Sequence, residues 1–496
     1  MRIAIDIQGI QSDGSRTRGI GRYSLEVVKN IIKEYPEHEI ILVANAALFD
    51  LRIELKSFLK SNNVKYFQWY APATYDYMSM DKIKIQLATY LRSYAFRCLH
   101  ADIILVTSFF EGFSDNCCVQ FDDDFINIPI VSIFYDLIPL INPSLYLNGN
   151  PDFEKFYKSK IKQIRNLDAL LAISHSSSEE AKKYLGFDSS KVINISSACD
   201  TKIFNVKSKI NSSINIDDYS PYILYSGASD PRKNLKRLLE AYSQLPSELS
   251  SYKLVLVGKL LPPEFALLTD WMHLFRIDPK MVIRTGFIPD VDLVELHRKC
   301  SLFVFPSLHE GFGLPVLEAM SCGAPVIGSN CTSIPEVLGL KAAMFDPTDV
   351  DEIRDLIIKA LTNKSFKESL IRNSISQSKK FSWSLTAKEA ITAFNKLVIS
   401  NERKTYSLDW NSISTSNNQQ FKLLIKKIRR MTLLNQISTD DFYSQVAGSI
   451  DKITIQLDSL ARELSSKEEL GSWRVEGPFD SSYSLSILNR SFAEAL

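Results

Sequence analysis

The chain has no cysteine pair spaced C-x-x-C, and no histidine stands at zinc-site spacing from its seven cysteines, Cys98, Cys117, Cys118, Cys199, Cys300, Cys322 and Cys331. No metal site is signalled, and an odd number of scattered thiols fits a reducing compartment rather than a disulfide framework. No apolar run approaches the roughly 20 residues that span a bilayer. The opening MRIAIDIQGI carries one Arg and then an Asp, so it lacks a secretory pattern and reads as the first strand of a folded domain. Net charge is +1, which leaves no global nucleic-acid footprint. These absences describe a cytoplasmic protein, unless a surface helix ties it to a membrane. What is present is the composition of a soluble α/β chain, 45% hydrophobic and 23% charged, and 496 residues suffice for two or three domains.

Two series of short apolar runs alternate with helical stretches. The first comprises 2–6, 39–44, 64–68, 101–106, 130–136, 168–174 and 191–196; the second comprises 221–226, 252–258, 281–286, 302–305, 325–328 and 342–346. Runs rich in Ile, Val and Leu, without clean alternation, belong to parallel sheets covered on both faces. Each series predicts one doubly wound domain, with a polar linker at 207–220 between them. The expected organisation is 1–206, then 221–400, then a polar and helical stretch at 401–470. Such a tandem places its ligand crevice at the carboxyl ends of both sheets.

The segment HEGFGLPVLEAMSCGAPVIGS, 309–329, carries the sharpest signal. It reads as strand, Gly-rich loop, helix and strand. Gly311 and Gly313 keep the loop free of side chains, so backbone N–H groups can approach a ligand. Pro315 suits a first helical turn. Glu310 then lies in the loop and Glu318 about a turn inside the helix. The second motif is YILYSGASDPRKNLKRLLEAYSQL, 222–245, where Gly227 turns the chain and a helix is expected to open at Asp230 and Pro231. Arg232 and Lys233 at that helix start combine two cations with free N–H groups, a good diphosphate site.

Glu-x7-Glu in this Gly-rich setting resembles the donor site of retaining GT-B glycosyltransferases, the large family 4 (glycosyl transferases group 1). The resemblance implies two Rossmann-like domains facing across a cleft, with the last helix, 381–400, crossing back onto the first. It implies that Arg232 and Lys233 hold the departing nucleotide diphosphate, Glu310 meets donor-sugar hydroxyls and Glu318 meets the ribose. The N–H groups from Gly311 through Phe312 and Gly313 to Leu314 become donor contacts. No metal or other cofactor is expected, and no Asp-x-Asp motif sits in convincing context; Asp122–Asp124 reads as a solvated acidic loop. Many relatives carry Arg directly after the Gly of the second motif, where this chain has Ala228.

The first domain offers fewer candidates. GSRTRGIGRYSLEVV, 14–28, is a Gly-rich loop entering a helix. Gly19 and Gly21 would allow close approach to donor phosphate or acceptor, with Arg18 and Arg22 as contacts or surface charges. Relatives often place His-Asp where this chain has Tyr135-Asp136. Tyrosine is a poor general base near neutrality, so Tyr135 remains a cleft-lining candidate and Asp136 an acceptor-orienting one. Ser329, Thr332, Ser333 and Glu336 are weaker candidates, and His175 suits packing or helix capping.

Beyond residue 400 the character changes. NSISTSNNQQ, 411–420, reads as a loop, and FKLLIKKIRRMTLL, 421–434, as a basic amphipathic helix that lies either on an anionic membrane or on protein. A further helix near 441–465 presents Ile450, Ile453, Leu457, Leu460 and Leu464 as a packing stripe or coiled-coil spacer. The last segment, 471–496, resembles the start of another GT-B domain, since Tyr483-Ser484-Leu485 echoes Tyr23-Ser24-Leu25. The expectation is the N-terminal part of a longer, multi-domain glycosyltransferase.

Similar tandem bacterial enzymes build mannose- or rhamnose-containing surface polysaccharides, including O-antigens. The resulting expectation is transfer from a nucleotide-diphosphate sugar, GDP-mannose first, to a glycan acceptor, lipid-linked, with retention. Two alternatives stand beside it: a non-catalytic GT-B scaffold and a sugar-nucleotide epimerase, the latter opposed by the lack of acid–base candidates.

Overall fold

Strands that are apolar throughout need cover on both faces, and β1 (Arg2–Asp6) receives it: Ile3 and Ile5 enter one core while Ala4 enters another. The structure is a computed structural model and describes residues 1–72, 74–207, 215, 218–227, 230–400, 410–435 and 440–465. Most of the expected linker, Ala228 and all of 471–496 lie outside the described residues.

Around β1 stand β2 (Glu39–Asn45), β3 (Val64–Trp69), β4 (Ile103–Val106), β5 (Ile130–Phe134), β6 (Ala169–Ala172) and β7 (Val192–Asn194). Their order is β3-β2-β1-β4-β5-β6-β7, parallel throughout. The second sheet contains β8 (Tyr222–Ser226), β9 (Lys253–Val257), β10 (Val282–Gly286), β11 (Leu302–Phe305), β12 (Val326–Ser329) and β13 (Met344–Phe345). Its order is β10-β9-β8-β11-β12-β13, again parallel. Each expected strand is present, with ends displaced by a residue or two. In both sheets the winding reverses beside the first strand, between β1 and β4 and between β8 and β11. Loops leaving the carboxyl ends of those pairs diverge, which opens a crevice at each reversal.

The helix Trp383–Ser400 follows the second sheet and packs on the helix Gly19–Glu34 of the first domain. Ala387, Ala390 and Ala393 keep its buried face small, so the two backbones approach, while Ile391 and Phe394 fill the seam. A run of edge-on aromatic contacts continues across the junction. Phe312 meets Phe381 at 5.6 Å, Trp383 meets Tyr23 at 5.3 Å, and Tyr23 meets Tyr135 at 5.5 Å between ring centroids.

The C-terminal extension departs from expectation. Residues 411–420 are helical, inside one helix Trp410–Leu434. Ser and Asn disfavour helix interiors only weakly, and docking on the helix Lys82–Cys98 outweighs them. Leu424, Ile428 and Met431, spaced for one helix face, are buried in the first domain's core. The apolar face offered to a membrane is therefore covered by protein. Lys427 is turned inward as well, 2.9 Å from Asp122 and 2.5 Å from Asp124, so the acidic run is ion-paired rather than merely solvated. The next helix, Asp440–Ser465, buries Val446, Ile450, Ile453, Leu457 and Leu460 against β3 and the helix Lys82–Cys98. It is part of the first domain's core and not a free spacer; the side chain of Leu464 lies outside the described residues.

Candidate active site

The loops at the β8/β11 reversal bring Arg232, Lys233 and Glu310 together. After β8, Asp230 caps a single 3-10 turn, Pro231–Lys233, and Asn234 takes a left-handed conformation with φ 60°. The Asn234 amide donates to Pro306 O and Pro347 O, and the helix proper begins only at Leu235. Arg232 and Lys233 thus sit on the turn ahead of the helix, not in its first turn as expected. Leu308 N donates to Arg232 O at 2.7 Å, which ties this turn to the loop after β11.

Glu310 lies between the two cations. Its Oε2 accepts from Arg232 Nη1 at 2.9 Å and its Oε1 from Lys233 Nζ at 2.7 Å. Its side chain is 8% exposed, Lys233 11% and Arg232 23%, so the cluster is desolvated yet open at the guanidinium. Burial alone would raise the Glu310 carboxyl, but the Lys233 and Arg232 charges outweigh it and hold the group below its ordinary range. Thr332 Oγ1 accepts from Glu310 N, and Ser333 Oγ donates to Glu310 O. The weaker candidates Thr332 and Ser333 therefore position this loop. Ser329 Oγ is buried with no partner.

Gly313, at φ 102°, precedes the helix Leu314–Ser321. Among the described residues, the N–H groups of Gly311, Phe312 and Gly313 donate to no protein acceptor. Gly311 is bare for another reason: an added Cβ would lie 2.8 Å from Tyr135 O and 3.0 Å from Asp136 Oδ2 of the first domain. Phe312 is core, packed on Phe381, and not a surface for a donor. Leu314 is half-buried against the same core. Gly227 lies over the hydroxyl of Tyr225, and its N donates to Val257 O.

Glu318 belongs to a separate group with Arg22 and Asp290. Arg22 crosses from the first domain to within 3.5 Å of Asp290. Burial, and then the charge of Asp290, push the Glu318 carboxyl up to about 8, with Arg22 opposing. The shift favours the protonated form, which can donate as well as accept.

The first domain's reversal is closed by its own contacts. An added Cβ at Gly21 would meet Ser15 O and Arg16 O at 2.5 Å, so the glycine admits its own loop; Gly19 faces open space. The Ser12 hydroxyl lies 3.0 Å from Glu111 Oε2 and 2.5 Å from Asp115 Oδ2. Tyr135 does not present its hydroxyl to the cleft. That group lies 2.7 Å from Ser24 Oγ and donates to Thr107 O and Ile20 O. Burial raises the Asp136 carboxyl, while Arg232 and His309 oppose. Asp136 is thus the first-domain candidate that lies within the field of the triad.

Two residues at the junction were not singled out from sequence. His309 Nε2 lies 2.7 Å from Glu180 Oε1, and Glu180 Oε2 accepts from Leu137 N. Both side chains are buried. Their 129-residue separation, across two domains, leaves no local pattern to find. Other bonds cross the same junction: Tyr146 OH donates to Asp230, Ser177 Oγ to Gly311 O, and His175 N to Glu336 Oε2. His175 itself is exposed at a helix start that Ser174 caps.

Comparison with known proteins gives this geometry a family. The profile described as Glycosyl transferases group 1 matches residues 206–377. The chain is 36% identical over 455 residues to the serotype-specific mannosyltransferase WbdA of Escherichia coli, covering 89% of this chain and 54% of that protein. It spans about half the length of the curated WbdA relatives it matches. It is 30% identical over 390 residues to the O-antigen chain mannosyltransferase B of Escherichia coli, covering 76% of this chain and 96% of that protein. The crystal structure of Anabaena HepE in complex with UDP and glucose superposes with a TM-score of 0.56 at 15% identity, over 80% of this chain and 100% of that one. The two facing parallel sheets are the GT-B fold, and the chain belongs to the glycosyl transferases group 1 family.

Proposed function

We propose that this chain transfers a mannosyl residue from a nucleotide-diphosphate donor, GDP-mannose first, to a glycan acceptor during surface-polysaccharide synthesis. The observation that carries the reading is the buried Glu310–Arg232–Lys233 triad beside the unused N–H groups of Gly311, Phe312 and Gly313. That these relatives are mannosyltransferases supports mannose, and the UDP and glucose in the HepE complex support a nucleotide-sugar donor.

In the proposed reaction the bond between the anomeric carbon and the diphosphate oxygen breaks, and negative charge grows on the departing diphosphate. Arg232, Lys233 and the loop amides are already oriented for that charge, so they stabilise the transition state more than the ground state. Glu310 positions both cations, and its remaining lone pairs can accept from sugar hydroxyls. The acceptor oxygen bonds to the anomeric carbon on the face the diphosphate leaves, giving retention. Its proton passes to a departing phosphate oxygen, and Asp136 orients the hydroxyl. Glu318, in its protonated form, pairs with the ribose. The junction bonds of His309 with Glu180 and of Tyr146 with Asp230 keep the two halves close and water out.

The proposed setting is the cytoplasmic side of the membrane, with a lipid-linked acceptor. Membrane contact by the helix Trp410–Leu434 rests on its exposed Lys422, Lys426, Arg429 and Arg430 alone, since its apolar face is buried. No helix among the described residues is long and apolar enough to cross a membrane.

The test is nucleotide release across GDP-, UDP- and dTDP-sugars with lipid-linked glycan as acceptor. Acceptor-dependent release from GDP-mannose, lost in Glu310→Ala, is expected. Glycan synthesis in cells unchanged by Glu310→Ala would favour the scaffold reading instead.

A further inference from the structure

A second cavity, of about 520 Å³, lies in the first domain away from the triad. The helices Lys82–Cys98 and Pro151–Ile164 form its sides, and residues 112–122 cover it. Its volume falls within the range of small-molecule sites.

Its wall has an uncommon feature. Lys160 is 5% exposed and lines the cavity, yet among the described residues its Nζ has no hydrogen-bond or ion-pair partner. It rests over the Phe156 ring, 5.1 Å from the centroid, and further from Phe109. The neighbouring Cys117 and Cys118 thiols are held protonated by burial and supply no counter-charge. A desolvated lysine without an acceptor is unfavourable, and burial pushes this one down to about 8. Gln163, one turn along the same helix, lines the cavity too, and its Oε1 is buried without a partner. Several other polar groups of the wall are engaged: Gln86 donates to Tyr90 OH, Gln120 to Thr89 Oγ1, and Tyr75 OH to Asn45, while Lys82 is an exposed second cation of the lining.

The occupant must therefore accept from Lys160 and donate to Gln163. An apolar molecule does neither. A cation meets the ammonium. A phosphate satisfies Lys160 but offers no donor to the Gln163 carbonyl, and the Asp122 carboxylate of the wall is already paired with Lys427. A neutral polyol does both, and Tyr77, Tyr90 and Phe156 add aromatic area to the wall. We propose that this cavity is a saccharide-binding subsite, separate from the catalytic cleft, that holds sugar residues of the glycan. The choice of glycan rests on the transfer reading above.

The cavity also has a structural route to the cleft. Gly112 and Cys117 line it, and the same loop carries Glu111 and Asp115, which meet Ser12 just ahead of the Gly-rich loop of the first domain. Gly112 holds φ 99°, and a Cβ there would fall 2.3 Å from Cys117 O, so the loop has little room to rearrange.

The test titrates the full chain with α-linked mannotriose, with maltotriose and cellotriose beside it, by calorimetry and saturation-transfer NMR. The expected result is binding that weakens at least tenfold in Lys160→Met and in Gln163→Leu. Thermal melts show that each variant folds; where one does not, the other decides. The inference is overturned if no trisaccharide binds, or if a folded variant binds as the parent does. Inorganic phosphate bound in the parent and lost in Lys160→Met overturns it as well, in favour of an anion site. Nucleotide-sugar consumption, measured separately, keeps the two readings apart. Saccharide binding without turnover sinks the transfer reading and leaves the cavity; turnover without saccharide binding does the reverse.

Discussion

The two sheets reverse their winding in the same way, yet the two crevices have different chemistry. At β8/β11 the adjacent loops contribute two cations, one buried carboxylate and three amides that, among the described residues, donate to no protein acceptor. At β1/β4 the Gly-rich loop folds on itself at Gly21, and the Ser12 hydroxyl lies between the Glu111 and Asp115 carboxylates. Topology thus supplies a place for a ligand, and the side chains at the strand ends decide whether that place is preorganised for charge. In the proposed reading the second domain is preorganised for a diphosphate, while the first-domain crevice is closed by its own polar contacts.

The comparison breaks most easily at the triad. Arg232→Ala and Lys233→Ala should each lower turnover by about 10²–10³-fold, the range for losing one preorganised partner of a developing charge. Ser12→Ala, at the other crevice, removes a hydroxyl bonded to carboxylates, a contact of about 1.5–3 kcal/mol, yet should lower turnover less than either triad substitution, because it stabilises the loop and not the developing charge. Steady-state kinetics with a saturating acceptor checks both.

Stability should divide the C-terminal helix by face. Ile428→Ala should destabilise by about 2–5 kcal/mol, and Lys426→Ala should stay within about 0.5 kcal/mol. Urea melts read the difference. A dissociated helix would give small values for both.

Glycines sharpen the contrast next. Gly311→Ala places a methyl 2.8 Å from Tyr135 O, so the domains must separate slightly at the reacting centre. A misplacement of about 1 Å can cost up to 10²-fold, and a turnover loss of tenfold or more is expected. Gly19→Ala meets nothing within 4 Å and should leave turnover unchanged.

A further contrast concerns pH. The folded Glu318 carboxyl sits at about 8, above its ordinary 4.5. A raised folded value contributes stability below the unfolded value, and that contribution is lost as pH rises toward 8. The parent's melting temperature should therefore fall relative to that of Glu318→Gln between pH 5 and 8, by roughly 2–4 °C per kcal/mol lost. Parallel melting curves across that window would place Glu318 in water.

Much of this was legible from local pattern. Buried parallel strands announce themselves as unbroken apolar runs, and Glu310, Glu318, Arg232 and Lys233 stand in two short motifs. What local pattern could not supply is contact at long range. His309 pairs with Glu180 across the domain junction, and Phe312 is claimed by Phe381, so one motif residue joins the site's scaffold and another its core. The helix through 411–420 escaped because weak propensity there is overridden by docking on the first domain. The basic helix was read with two partners open, and only packing reveals that Leu424, Ile428 and Met431 are already covered.

Arg232 and Lys233 are proposed to hold the departing diphosphate. Calorimetry with GDP and GMP tests this without an acceptor, in the parent, Arg232→Ala and Lys233→Ala. The account predicts that GDP binds the parent far more tightly than GMP, and that either variant closes most of that gap while GMP affinity stays the same. A gap that survives both substitutions would contradict it.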